Sequence, residues 1–183
     1  MLKINLILSS TNRSLIYLKE LIKNNYRLNL VIFYSLKKNK RILNILKQKK
    51  INYQVFKTNE INEINIEKEL SRSKNALNIF SGYPGQIIKS KKILKNIILH
   101  IHPGSLYDFK GSTTLYYSLI MKGTIYCSVI ALNNKIDSGK VLFKKKFFMP
   151  KKITIKKFES NFDNDLRALT LIEYLKLHSN KSQ

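Results

Sequence analysis

Between Leu70 and Phe158 the chain carries only two carboxylates, Asp108 and Asp137, and the same stretch holds His100 and His102. So sparse an acid beside a glycine, in the run Ile136, Asp137, Ser138, Gly139, is poor material for a solvated surface. On a strand, His100 and His102 point to one face, roughly 6–7 Å apart. Pro103 and Gly104 then break the strand and leave His102 at its carboxyl end. Three chemistries fit this spacing. A His-x-His pair with an aspartate can ligate a metal through imidazole nitrogens. The aspartate can instead orient and polarise His102 for acid/base work at an acyl centre. Or the histidines satisfy polar groups at a strand end. Spacing alone leaves all three open.

The elements that must position these residues alternate from the start. Residues 3–9 read as an apolar strand, and Ser14 to Lys23 as a helix with Leu15, Leu18, Leu21 and Ile22 at helical spacing. Leu28 to Tyr34 is a strand, Lys38 to Lys49 a basic amphipathic helix, Tyr53 to Phe56 a strand, and 60–71 a polar helix. Ala76 to Phe80 and Ile97 to Ile101 form the fourth and fifth strands; 124–132 and 140–148 add two more before a closing helix over 163–177. Near-continuous apolar strands joined by helices predict an α/β chain: a Rossmann-like, mostly parallel sheet with helices on both faces, in a single domain over 1–183. All six glycines lie between Gly82 and Gly139. Glycine serves where backbone takes unusual angles or a ligand comes close. The functional face is therefore expected in the loops after strands four, five and six.

Composition narrows the class. With 183 residues and 44% hydrophobic content the chain can bury one full core. No apolar run is long enough to span a bilayer, and the lone Cys127 excludes an internal disulfide or an all-cysteine zinc site. A cytoplasmic enzyme is expected. The net charge of +23 suggests either an anionic partner or a composition rich in lysine, asparagine and isoleucine. Arginine, the better fork for phosphate, occurs only at 13, 27, 41, 72 and 167. No aromatic–basic interleaving or RNA motif accompanies the charge, which argues against nucleic acid as the partner. A non-enzymatic basic domain holding RNA stays as the rival class.

The run from His100 through Pro103, Gly104, Ser105, Leu106, Tyr107, Asp108, Phe109 and Lys110 to Gly111, followed by Ile136, Asp137, Ser138 and Gly139, resembles the folate-dependent formyltransferase family. That family includes glycinamide ribonucleotide formyltransferase and the catalytic domain of methionyl-tRNA formyltransferase. The upstream segment Phe80 to Ile88 is similar to the strand and loop with which the family cradles the folate. The resemblance covers 76–148 well and the earlier units only as architecture. It implies 10-formyltetrahydrofolate as formyl donor, His102 and Asp137 as catalytic pair, and no metal. It implies folate contacts at Tyr83, Gly85, Ile87, Asn133, Ile136 and Gly139, with lysines attracting the folate's glutamate carboxylates. The family's asparagine two before the histidine is His100 here, placed to donate to the oxyanion in its stead. Tyr107 stands where a proline is usual. An altered reaction, hydrolysis of the formyl donor, is the alternative that the His100 departure raises.

The acceptor is less defined. After strand one, Ser9 to Ser14 contains no glycine, unlike the phosphate loop of glycinamide ribonucleotide enzymes; it reads as an anion site using Arg13 or as a helix cap. The chain stops at Gln183, short of the further domain of the transfer-RNA enzyme. A small amine, such as an amino sugar or a nucleotide-linked amine, is expected, bound by Ser105, Gly111, Ser112 and Thr113, with Tyr116 and Tyr117 behind.

Overall fold

The computed structural model describes residues 2–73, 76–106, 108–109, 114–150, 152 and 154–179. In order along the chain stand β1 (Ile4–Leu8), α1 (Asn12–Lys23), β2 (Leu28–Tyr34), α2 (Lys40–Gln48), β3 (Tyr53–Phe56), α3 (Ile64–Arg72), β4 (Leu77–Ser81) and α4 (Lys91–Leu94). There follow β5 (Ile98–Pro103), α5 (Thr114–Lys122), β6 (Ile125–Ala131), β7 (Lys140–Phe147), α6 (Ile155–Lys157) and α7 (Asp163–Ser179). The seven strands form one sheet in the order β3-β2-β1-β4-β5-β6-β7.

The pairings are parallel from β3 to β5 and antiparallel from β5 to β7. Alternate residues of each strand feed two cores. Ile4, Leu6 and Leu8 pack with Leu99 and Ile101 against α1 and α7. Ile7, Ile32 and Ile98 face the other way, with Ile66, Leu70 and Ile93 from α3 and α4. Ile98 shares its parity with His100 and His102, so both histidines lie on this second face.

Local chemistry explains the helix starts. Thr11 caps α1 by accepting from Ser14 N at 3.2 Å, and Asn39 caps α2 by accepting from Ile42 N at 3.2 Å. Leu15, Leu18 and Leu21 are the buried stripe of α1. Helix α3 begins four residues later than its polar pattern indicated, because Glu63 supplies the cap. Among the described residues, no helix is long and apolar enough to cross a membrane.

The chain order reverses between β1 and β4, the place where open α/β sheets leave a crevice beyond their carboxyl ends. The ladder between β4 and β5 runs only through Asn78↔Ile98 and Ile79↔Leu99, which widens that crevice. Strand β6, by contrast, is antiparallel to β5, so its carboxyl end at Ala131 lies beside Leu99. Its loop therefore reaches the functional face by folding back over the sheet, and not by standing at a shared strand edge as expected. Gly139 makes the fold-back possible: a Cβ there would sit 2.1 Å from the Ala131 carbonyl oxygen. Gly139→Ala is expected to cost about 1–3 kcal/mol, the usual penalty for forcing atoms into packed space. A fall in the urea midpoint at constant m-value checks this.

Candidate active site

A cavity of about 520 Å³ opens in the crevice, and its wall includes His100, His102, Asp137, Tyr83, Ile87 and Arg13. Its size falls within the usual span of small-molecule sites.

His102 is the penultimate residue of β5 and is 2% exposed, so its ring is fixed by its surroundings. Its Nδ1 lies 3.2 Å from Asp137 Oδ1. A carboxylate only accepts, so this contact is a hydrogen bond when Nδ1 carries the proton, and Nε2 is then the basic nitrogen. Thr114 Oγ1 stands 3.5 Å from Nε2, and its own hydroxyl donates to the Pro103 carbonyl. Burial lowers the His102 pKa below its ordinary value; Asp137 raises it and Arg167 lowers it. Asp137 takes a left-handed backbone, φ 47°, on the folded-back loop. Strain of this kind in a non-glycine residue persists only where the surroundings impose it.

Asn133 supplies that imposition. Its Oδ1 accepts from Lys135 N at 2.9 Å and from Ser138 Oγ at 2.7 Å, while its Nδ2 donates to the Ser138 carbonyl at 3.0 Å. The side chain of Asn133 is thus occupied in closing the loop that presents Asp137. Asn133 lines the cavity together with Leu132 and Ile136.

His100 lies on the same face, its ring 6.1 Å from that of Phe80 and Nδ1 3.5 Å from the Phe80 carbonyl oxygen. Burial drives its pKa well below the ordinary imidazole value, and Arg13, Arg167 and His102 push in the same direction. The ring is therefore neutral at physiological pH and has one N–H to give.

The loop after β4 also lines the cavity and is pinned by side chains of other elements. Tyr34 Oη accepts from Tyr83 N at 3.2 Å, and the Tyr83 and Ser35 hydroxyls lie 2.8 Å apart. Asn62 Nδ2 donates to the Ile87 carbonyl and its Oδ1 accepts from Lys89 N, each at 2.8 Å. Gly82 lets the loop turn over Tyr34, where a Cβ would come 1.9 Å from the tyrosine oxygen. Tyr83, Gly85, Gln86, Ile87 and Ile88 thereby line one continuous wall.

The structure thus brings together His100, His102, Asp137, Tyr83, Gly85, Ile87, Asn133 and Ile136. It does not bring Ser105 or Gly139 into the lining. Ser105 is fully buried and accepts from Lys144 Nζ at 2.6 Å, and Gly139 serves the loop closure. Asp108 points elsewhere, pairing with Lys122 at 2.6 Å. Gly111, Ser112, Thr113 and Tyr107 lie outside the described residues. Among the described residues, no three histidine, cysteine or acidic side chains group around a metal position.

Two arginines line the cavity that spacing did not place there together, Arg13 and Arg167, with Asp163 beside them. Both are buried, whereas Arg27, Arg41 and Arg72 are exposed. In a chain that otherwise uses lysine, the rarity of arginine was the available signal. Thr11 does cap α1, and Arg13 turns inward to donate to the Gly82 carbonyl.

Fold and site together describe an α/β domain with a histidine–aspartate pair set in a crevice at the switch point. No family model matches the sequence, and no curated protein matches it. Solved structures do share the fold. Phosphoribosylglycinamide formyltransferase from Anaplasma phagocytophilum superposes with a TM-score of 0.74 at 18% identity, covering 98% of this chain and 88% of that one. The enzyme of the same name from Streptococcus pneumoniae TIGR4 gives 0.69 at 18% identity, over 97% and 98% of the two chains. A formyltetrahydrofolate deformylase from Pseudomonas syringae gives 0.74 at 13% identity, over 98% of this chain and 62% of that one. The chain has the Rossmann-like fold of these proteins.

Proposed function

We propose that the chain is a folate-dependent enzyme that moves the formyl group of 10-formyltetrahydrofolate onto a small-molecule amine. The observation that carries this reading is the His102–Asp137 pair, 3.2 Å apart, in the wall of a crevice of about 520 Å³. The fold shared with formyltransferases supports it.

The lining suits a reduced folate. Ile87, Ile88, Leu132 and Phe80 offer apolar surface to a flat ring, and the backbone of the two facing loops offers polar groups at its edge. The bound donor would supply an activated one-carbon unit: the amine nitrogen bonds to the formyl carbon, the carbon–N10 bond breaks, and one proton passes from the amine to N10. His102 and Asp137 do the proton work. Asp137 holds the imidazole by Nδ1–H, which leaves Nε2 to take or give a proton. His100 stands two residues back on the same face; in the tautomer that carries its proton on Nε2, and so gives up the Phe80 contact at Nδ1, it donates where negative charge develops on oxygen. The acceptor would enter beside Thr11, Asn12 and Asn164, which also line the cavity.

Hydrolysis of the same donor is a second reading, favoured by the replacement of the family's asparagine by His100 and by the fold shared with a deformylase. The residue roles are unchanged, with water in place of the amine.

A folate analogue tests the shared part of both readings. 5-Formyltetrahydrofolate should raise the melting temperature by about 5–10 °C at a hundredfold excess over Kd. No shift at millimolar ligand would overturn the folate reading.

A further inference from the structure

We propose that Arg167 is the positioning residue for His102: anchored by Asp163, it holds the strand end that carries the histidine through the carbonyl of Ile101. This rests on the catalytic reading of His102 given above.

The geometry is specific. Arg167 Nε lies 3.0 and 2.9 Å from the two carboxylate oxygens of Asp163, and Nη2 donates to Oδ2 at 2.7 Å. Nη1, which points away from that fork, donates to the Ile101 carbonyl oxygen at 3.0 Å. Arg167 is 6% exposed, so its guanidinium is held inside the fold, while Asp163 is partly open to solvent. Asp163 and Arg167 are one helical turn apart at the start of α7 and share a face. The chain enters α7 through a π-helical turn, Phe158–Phe162, a departure from regular helix that often accompanies functional sites.

Ile101 is where such a donor is needed. The parallel ladder from β4 ends at Leu99, so along Ile101 and His102 strand β5 has a strand partner only in β6. Arg167 supplies a hydrogen bond on a stretch where β4 supplies none, one residue before His102. A guanidinium can grip a carboxylate with one edge and a carbonyl with another; an ammonium cannot reproduce that fork.

The same position gives Arg167 an electrostatic effect. The charged and titratable groups that line the cavity with His102 are Asp137 and Lys135 from the β6–β7 loop, His100 from β5, Tyr83 from the loop after β4, Arg167 and Asp163 from α7, and Arg13 from α1. Arg167 lowers the His102 pKa while Asp137 raises it. Removing the guanidinium should therefore move the His102 titration upward.

The test uses the full chain with Arg167→Met and Arg167→Lys. His102 is titrated by its ring nitrogen NMR signals, and kcat and KM for formyl-donor turnover are measured separately. Arg167→Met should lose about 10- to 100-fold in kcat, the scale of a small misplacement of a reacting group. Arg167 also lines the cavity, so KM for the folate is measured alongside, and the larger change should fall on kcat. The His102 midpoint should rise. Arg167→Lys keeps the charge and should hold the midpoint near the wild-type value, yet regain only part of kcat. Wild-type kcat in Arg167→Lys would overturn the proposal, and that variant decides the matter if Arg167→Met does not fold. So would an unmoved midpoint in a folded Arg167→Met protein. The titration needs no turnover: if His102→Ala retained activity, the catalytic reading would fail while the midpoint still reported whether Arg167 holds His102.

Discussion

His102→Ala and Asp137→Asn should each lower formyl-donor turnover by about 10²–10⁴-fold, the range for positioned acid/base groups. The two losses should not add, because both residues serve one proton path. Asp137→Asn is the more telling change. The amide can still accept from His102 Nδ1–H, so the ring keeps a partner, but the charge that raises the His102 pKa is gone. Burial and Arg167 then meet a weaker upward pull, and the acid limb of the pH–rate profile should move to lower pH. Protonation of His102 removes its basic nitrogen, so in wild type activity falls as pH drops through a pKa already below 6.5. Turnover near wild type in either variant would remove these residues from the catalytic role. Urea unfolding of both proteins separates lost chemistry from lost structure.

His100→Ala should cost about 3 kcal/mol in the barrier, the scale for a single oxyanion donor. His100→Asn replaces one N–H donor by another and should keep much of the activity. The surroundings of His100 decide the pH behaviour. An imidazole that titrated near neutrality would add a limb to the profile, but burial, Arg13, Arg167 and His102 hold His100 neutral far below that range. Wild type and His100→Asn should therefore have the same shape above pH ~6, about half a unit below the ordinary imidazole pKa. Activity should run wild type, Asn, Ala in descending order. Equal activity in all three proteins would make His100 a bystander beside Phe80.

The parts of this site that were legible in the sequence are those set by short-range rules. Two histidines of one parity, a proline and glycine that end their strand, and an isolated Asp-x-Gly all describe local backbone, and each appears as read. Thr11 and Asn39 cap their helices because a short polar side chain can reach back to an amide regardless of what lies beyond. The antiparallel sense of β6 was not legible, since an apolar strand looks the same in either direction. With it went the path of the 132–139 loop, which depends on Ala131 lying beside Leu99. Asn133, read as a ligand contact, does line the cavity, and its side chain is also the staple of that loop, a role visible only once Ser138 is folded back onto it. Arg167 was out of reach for the same reason: its partner Ile101 is 66 residues away. Asp163, four residues off, was the half of that interaction written in the sequence.

The central claim is that His102 and Asp137 act on a formyl group carried by a reduced folate. Single turnover with 10-formyltetrahydrofolate labelled in the formyl carbon measures this directly, with and without a panel of small amines. The wild-type protein should release the label from the folate, into an amine if transfer is the reaction and into formate if hydrolysis is. Asp137→Asn should leave it in place at least about a hundredfold longer. Label that stays on the folate with the wild-type protein under every condition, or leaves equally fast with Asp137→Asn, would contradict the account.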